Sequence, residues 1–244
     1  MLTKNNRVWA AVALLTTAIG FTSCLKNDKI TPSRPQARIM FMNLSNSTVP
    51  ASFYDNDQRI SKDTASINFG FISNYSVFGG MHTFQLRKKG GDSVITTNTY
   101  NYDSTAYYTY LIIGNNPVRS FTVPSDFTTA SQNKINIRCF NVSPGNTAVD
   151  FYIGNEKIDS NRTYMSYIDP SSASKFFQFD NFSVNNTITV KKAGTNDIIA
   201  TNNSLQMIPG RSFNIGNVYT IYFAGTPGST GVDKLVVDAV PSLY

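Results

Sequence analysis

From residue 37 onward the chain is written in short apolar blocks separated by polar, glycine-rich turns. His82-Thr-Phe-Gln-Leu-Arg alternates with period two and puts Phe84 and Leu86 on one face, as Thr187-Ile-Thr-Val-Lys does with Ile188 and Val190. Two later blocks, 107–113 and 218–224, are almost continuous in β-branched and aromatic residues, the pattern of central strands buried on both faces. Asp55-Asn56-Asp57 and Gly154-Asn155 supply hairpin turns whose residues tolerate positive φ. No stretch after residue 36 carries a helical period with caps. The pattern predicts an all-β protein.

The blocks recur. Ile39–Ile60 aligns without gaps on Ile137–Ile158, with identities at Ile39/Ile137, Asn43/Asn141, Ser45/Ser143, Phe53/Phe151, Tyr54/Tyr152 and Ile60/Ile158. Phe84–Gly90 then matches Ile188–Gly194, and Tyr107–Gly114 matches Val218–Gly225, in the same order. Self-similarity in ordered blocks signals duplication. It predicts two tandem Ig-like or transthyretin-like β-sandwiches of ~7 strands each. Their boundaries fall at 37–123 and 134–244, with a linker at 124–133 and an inserted loop at 169–174.

The first 36 residues follow another rule. Lys4 and Arg7 precede an apolar run from Val8 to Phe21. At about 14 residues that run is shorter than the ~20 a spanning helix needs, and it reads as a signal-peptide core. Phe21-Thr22-Ser23-Cys24 resembles a bacterial lipobox, with Phe and Thr where Leu and Ala or Ser are usual. It implies removal of 1–23 and a lipidated Cys24. The competing reading is a conventional cut that leaves Cys24 an ordinary residue; the bulky Phe21 three positions before the cysteine argues against it. Residues 24–36, polar with Pro32 and Pro35, read as an anchor and flexible tether. Lys26-Asn-Asp-Lys29 looks loosely like the export tags of Bacteroidetes surface lipoproteins, which are more acidic. The expected location is the cell envelope, on the outer membrane, with a periplasmic or surface-facing orientation both open.

Ile137-Arg-Cys-Phe-Asn-Val-Ser-Pro144 followed by Val149-Asp-Phe-Tyr152 is similar to the opening of the bacterial domain-of-unknown-function family 4397. The first copy departs from it, with Asn46 in place of the proline and Ala51-Ser-Phe-Tyr54 in place of the acidic version. The resemblance extends over nearly all of 37–240. It implies β-sandwich repeats on exported, often lipid-anchored proteins, and brings no catalytic residues.

Composition narrows the chemistry. Net charge is +6, and +4 once Lys4 and Arg7 leave with the signal. The basic residues are scattered apart from Arg87-Lys88-Lys89, which is no stripe for nucleic acid. With Cys24 on lipid, Cys139 has no disulfide partner and reads as a buried hydrophobe. His82 is the sole histidine, so neither a histidine metal cluster nor a supported Ser-His-Asp triad is available. Asp55 and Asp57 read as turn residues rather than calcium ligands, and Asp150, Glu156 and Asp159 make no acid/base pair for glycoside cleavage. No cofactor is expected. What remains is tyrosine beside Asn, Ser and Thr. Tyr100, Tyr102, Tyr164 and Tyr167 are the candidate ligand contacts, able to stack on sugars or anchor a protein interface. The mature chain has no tryptophan platform, because Trp9 lies in the signal. Asp63-Thr-Ala, Asp92-Ser-Val and Asp103-Ser-Thr match a short O-glycosylation pattern of exported Bacteroidetes proteins. The expected function is a non-catalytic binding, adhesion or scaffolding lipoprotein with a glycan or envelope protein as partner. The alternative is a glycan-binding accessory protein of an outer-membrane uptake system.

Overall fold

A computed structural model describes residues 34–47, 49–62, 66–145, 148–165, 170–182, 187–202 and 212–242. Cys24, the lipobox, most of the tether, Asp63–Ala65 and Tyr167 lie outside the described residues. Residues Pro35–Tyr244 form one compact unit.

The chain folds as two eight-stranded copies among the described residues. The first comprises β1 (Gln36–Asn43), β2 (Ala51–Asp55), β3 (Gln58–Arg59), β4 (Phe71–Phe78), β5 (Gly80–Lys88), β6 (Val94–Tyr102), β7 (Tyr107–Ile113) and β8 (Arg119–Pro124). The second comprises β9 (Ile135–Asn141), β10 (Val149–Ile153), β11 (Glu156–Arg162), β12 (Phe177–Phe179), β13 (Ile188–Lys192), β14 (Ile198–Asn202), β15 (Val218–Ala224) and β16 (Val236–Pro241). The sheet orders β4-β1-β7-β8 and β3-β2-β5-β6 recur as β12-β9-β15-β16 and β11-β10-β13-β14.

Register repeats as well. In the parallel pair β1–β7, Ile39 faces Tyr108, and in β9–β15 the matching Ile137 faces Tyr219. Phe53 faces Leu86 across β2–β5, and Phe151 faces Val190 across β10–β13. A slip of one residue would turn every side chain to the other face, so the preserved register means that the buried sets correspond. The first hairpin turns on Asn56 and Asp57 at φ 46° and 65°, both left-handed, as a two-residue turn that follows the strand twist requires.

The two sandwiches are stacked face to face, so the layers number four. Ile39, Phe41, Phe53, Phe84 and Tyr110 fill the first sandwich, and Ile137, Phe151, Val190, Ile221 and Phe223 fill the second. A third core lies between the inner sheets, where Met40, Met42, Leu111 and Ile113 meet Phe140 and Tyr222. β9 and β15 are buried at every residue; β15 is accordingly almost continuous in apolar and aromatic residues, whereas β9 also buries Asn136, Arg138 and Asn141.

The packing has near-twofold character, with equivalent positions meeting from both sides. Asn46 Nδ2 donates to Thr226 Oγ1 at 2.7 Å, and the counterparts of that pair, Pro144 and Asn115, line one cleft on the opposite side. The segment 124–133 is packed rather than open. Phe127 stacks on Phe176 with centroids 5.3 Å apart, and Asp126 N–H donates to the Ser174 carbonyl.

Candidate functional site

The most repeated polar motif is architectural. Asn43 Oδ1 accepts from Ser45 N–H and Ser45 Oγ at 3.1 and 2.8 Å, while its Nδ2 donates to the Ile67 carbonyl. Asn141 repeats this with Ser143 N–H and the Arg162 carbonyl. Each asparagine thereby satisfies backbone groups at a buried corner, where an unmet donor or acceptor is costly.

The groups with chemical potential are also held by the fold. Asp55 is buried, accepts from Tyr75 Oη at 3.1 Å, and faces His82 Nδ1 at 2.8 and 3.0 Å. His82 Nε2 lies 3.0 Å from the Phe78 carbonyl, so both ring nitrogens are engaged. Burial, reinforced by the neighbouring Asp55 carboxylate, pushes the Tyr75 phenol well above its ordinary value. Burial likewise raises the Cys139 thiol, away from the reactive thiolate. Asp150 accepts from Lys157 Nζ and from the Asn161 and Gly194 N–H groups. Burial opposes its ionisation, yet these donors hold the carboxyl below 3.8. Among the described residues, no group of His, Cys, Asp and Glu could hold a metal ion.

Arg138 had no forecast role. It is 1% exposed in the core between the inner sheets, with Nε donating to Thr220 Oγ1 and Nη2 to Thr109 Oγ1 at 2.9 and 2.6 Å. Its guanidinium carbon stands 4.8 Å from the ring centroids of both Phe140 and Phe176. Nη1 has no hydrogen-bond partner among the described residues, and burial lowers the side-chain pKa to about 9.

The structure disperses the predicted tyrosine contacts. Thr96, Asn98, Tyr100 and Tyr102 share the inward face of β6 by its period of two. Tyr102 is 2% exposed, its hydroxyl sits 2.8 Å from Thr122 Oγ1, and burial raises its phenol. It belongs to the core, which removes it from the contact set. Tyr100 is half-buried against Tyr102 and Tyr108, at 5.0 and 5.5 Å between centroids. Tyr164 follows β11 and lies at the junction of the sandwiches, where a Cβ added at Gly114 would stand 3.9 Å from its hydroxyl.

Tyr164 and Met165 border two adjoining recesses. The larger, about 400 Å³, is lined also by Asn115, Asn116, Pro117 and Arg119. The smaller, about 120 Å³, reaches Asn141, Arg162 and Ala173. Burial raises the Tyr164 phenol while Arg119 acts in the opposite sense. The near-twofold packing creates a counterpart of about 600 Å³ lined by Phe69, Asn202, Tyr222, Lys234 and Asp238. In both clefts a loop of one sandwich faces the other sandwich, as Gly70 and Met165 hold equivalent hydrogen bonds to the Asn43 and Asn141 carbonyls. Sequence reading missed Asn115, Asn116 and Arg119. Their one signal was position, on a turn straight after a buried strand, where loops carry binding groups.

Comparison with solved structures finds distant likenesses. A DUF1812 protein of Bacteroides thetaiotaomicron is 10% identical with a TM-score of 0.27, the match covering 86% of this chain and 99% of that one. A streptococcal family 41 carbohydrate-binding module that recognises α-glucan is 8% identical over 83% of this chain and 96% of its own, with a TM-score of 0.26. The fimbrial anchor protein Mfa2 of Porphyromonas gingivalis is 11% identical over 85% and 100%, with a TM-score of 0.23. At this level none assigns a ligand. No curated protein matches the chain. Residues 37–152, the first sandwich and the opening strands of the second, match the model of the family described as Domain of unknown function (DUF4397), the family that the Asn-x-Ser segments resemble.

Proposed function

We propose that the protein is a non-catalytic binding module of the cell envelope, tethered through a lipidated Cys24 and capturing its partner at the junction of its two sandwiches. The observation that carries this reading is the cleft around Tyr164. It has a volume in the range of ligand sites and combines an aromatic ring with two amides and a guanidinium. His82, Cys139 and Asp150, the side chains best suited to chemistry, serve the fold instead.

A glycan is the ligand class this lining favours over a protein partner. A sugar offers a C–H face to a tyrosine ring and hydroxyls to amides such as Asn115 and Asn116. The test is a glycan array followed by titration of the best binder against the full chain. Tyr164→Ala should weaken binding at least tenfold and Tyr100→Ala should leave it unchanged. Binding that survives Tyr164→Ala overturns the cleft assignment, and an empty array returns the ligand to an envelope protein. The tether has its own test. Cys24→Ser should move the protein from the membrane to the soluble fraction, and continued membrane fractionation would rule out the lipid anchor.

A further inference from the structure

The first sandwich is open along an edge where the second buries the equivalent isoleucine. A cleft of about 310 Å³ enters between β3 and β4, with Phe41, Phe53 and Ile67 as its floor and Phe71 and Tyr75 on its wall. The floor rings meet edge to face, 4.6 Å between centroids. Two of the polar side chains along the cleft are engaged by the protein, and Ser73 is exposed on β4. The Tyr75 hydroxyl is held by Asp55, and Ser61 Oγ accepts from Phe53 N–H, so the depth around Phe41, Phe53 and Ile67 presents mainly ring faces and C–H groups.

The internal duplicate differs from the first sandwich at this edge. Ile60, at the mouth, is 37% exposed, whereas its counterpart Ile158 is 6% exposed and belongs to the second core. β3 spans only Gln58–Arg59, while β11 continues from Glu156 to Arg162 along the equivalent edge. Lys62 stands at the mouth, exposed, and is the charged residue lining the cleft among those described. Apolar depth with one cation at the rim is complementary to a molecule with an alkyl chain and an anionic head.

We infer that this cleft binds a small anionic amphiphile, such as a medium-chain carboxylate, with its chain against Phe41 and Phe53 and its head at Lys62. The site is separate from the junction cleft, and its ligand class follows from different residues.

The experiment uses the full chain carrying Cys24→Ser, kept free of detergent, and titrates dodecanoate below its micelle concentration by calorimetry. Saturable binding with a Kd below about 100 µM is expected. Ile60→Trp, which fills the mouth from an exposed position, should weaken it at least tenfold with an unchanged urea midpoint. Lys62→Glu should weaken dodecanoate about fivefold and leave dodecanol unaffected, the signature of a head-group contact. Tyr164→Ala should change neither, which separates this outcome from the junction cleft. Three results would overturn the proposal. One is the absence of saturable dodecanoate binding. Another is binding indifferent to Ile60→Trp. The third is self-association that Ile60→Trp abolishes, which would give the cleft to a second copy of the chain.

Discussion

The two sandwiches share strand order, register and corner asparagines, and they differ along their edges. Phe53 and Phe151 occupy the same inward position, and Tyr54 and Tyr152 the same outward one. Even the cation over that outward ring is kept, as Arg87 above Tyr54 at 4.4 Å and Lys191 above Tyr152 at 4.5 Å. At the neighbouring position the copies diverge. Ser52 accepts from Arg59 in the first, where Asp150 accepts from Lys157 in the second. Shifting a strand's register would empty a whole core, whereas an edge residue can change alone. The duplicate that is freer at its edge carries an apolar cleft there, so divergence at an edge is one route by which a binding surface can arise.

The sharpest way to break the comparison is to truncate the shared phenylalanine in each copy. Phe151 is fully buried in a closed core, and Phe151→Ala should cost about 3–5 kcal/mol, from lost transfer energy and the cavity left behind. Phe53 borders the 310 Å³ cleft, so part of its surroundings is already open and Phe53→Ala should lie at or below the low end of that range. Urea denaturation measures both. Equal costs would show that the first sandwich closes in solution. Because the inner sheets share a core, each variant should still unfold in one transition.

The second prediction concerns a position where the copies differ inside that shared core. Arg138 corresponds to Met40 in the first copy. A buried guanidinium with no carboxylate partner among the described residues has given up hydration for two hydroxyl bonds and two ring faces. Replacement of buried charges by apolar residues of similar volume is commonly neutral or stabilising. Arg138→Met combined with Thr109→Val, which removes the hydroxyl left behind, should therefore be as stable as the parent or more so, by up to about 4 kcal/mol. A loss beyond about 1 kcal/mol would mean that the ring stacking and hydroxyl bonds outweigh the desolvation of the cation.

What the sequence revealed and what it withheld follow one physical line. Strand identity and register were legible because alternation at Phe84 and Leu86 and continuity at 107–113 are local patterns. Duplication was legible because the same patterns recur in order. The face-to-face stacking was not. In β1 both Ile39/Phe41 and Met40/Met42 are apolar, and apolar character does not say which layer covers which face. The tyrosines suffered from the same ambiguity. Tyr102 reads like Tyr100 in sequence, yet one caps the core at Thr122 and the other reaches its margin. The junction cleft depends on which loops the stacking brings together, so Asn115 and Tyr164 could be paired only in three dimensions.

The smallest expected effect tests the acid that only the second copy has. Asp150 is 2% exposed and accepts from two backbone N–H groups and from Lys157. The Lys157 end is exposed to solvent and screened, so the Asn161 and Gly194 bonds should dominate, and Asp150→Asn should cost about 1–2 kcal/mol near neutrality. The sign of its pH dependence follows from the lowered carboxyl value. The folded state holds the proton less tightly than the unfolded chain, so the stabilisation is complete above 3.8 and is lost as the pH falls through the lower folded value. The gap between parent and Asp150→Asn should stay constant from neutrality down to about pH 5 and then narrow in acid. Ser52→Ala, at the matching position of the first copy, should show no such narrowing, because Ser52 has no carboxyl to protonate. A parent–variant gap that widens in acid would place the favourable charge elsewhere and undo the assignment to Asp150.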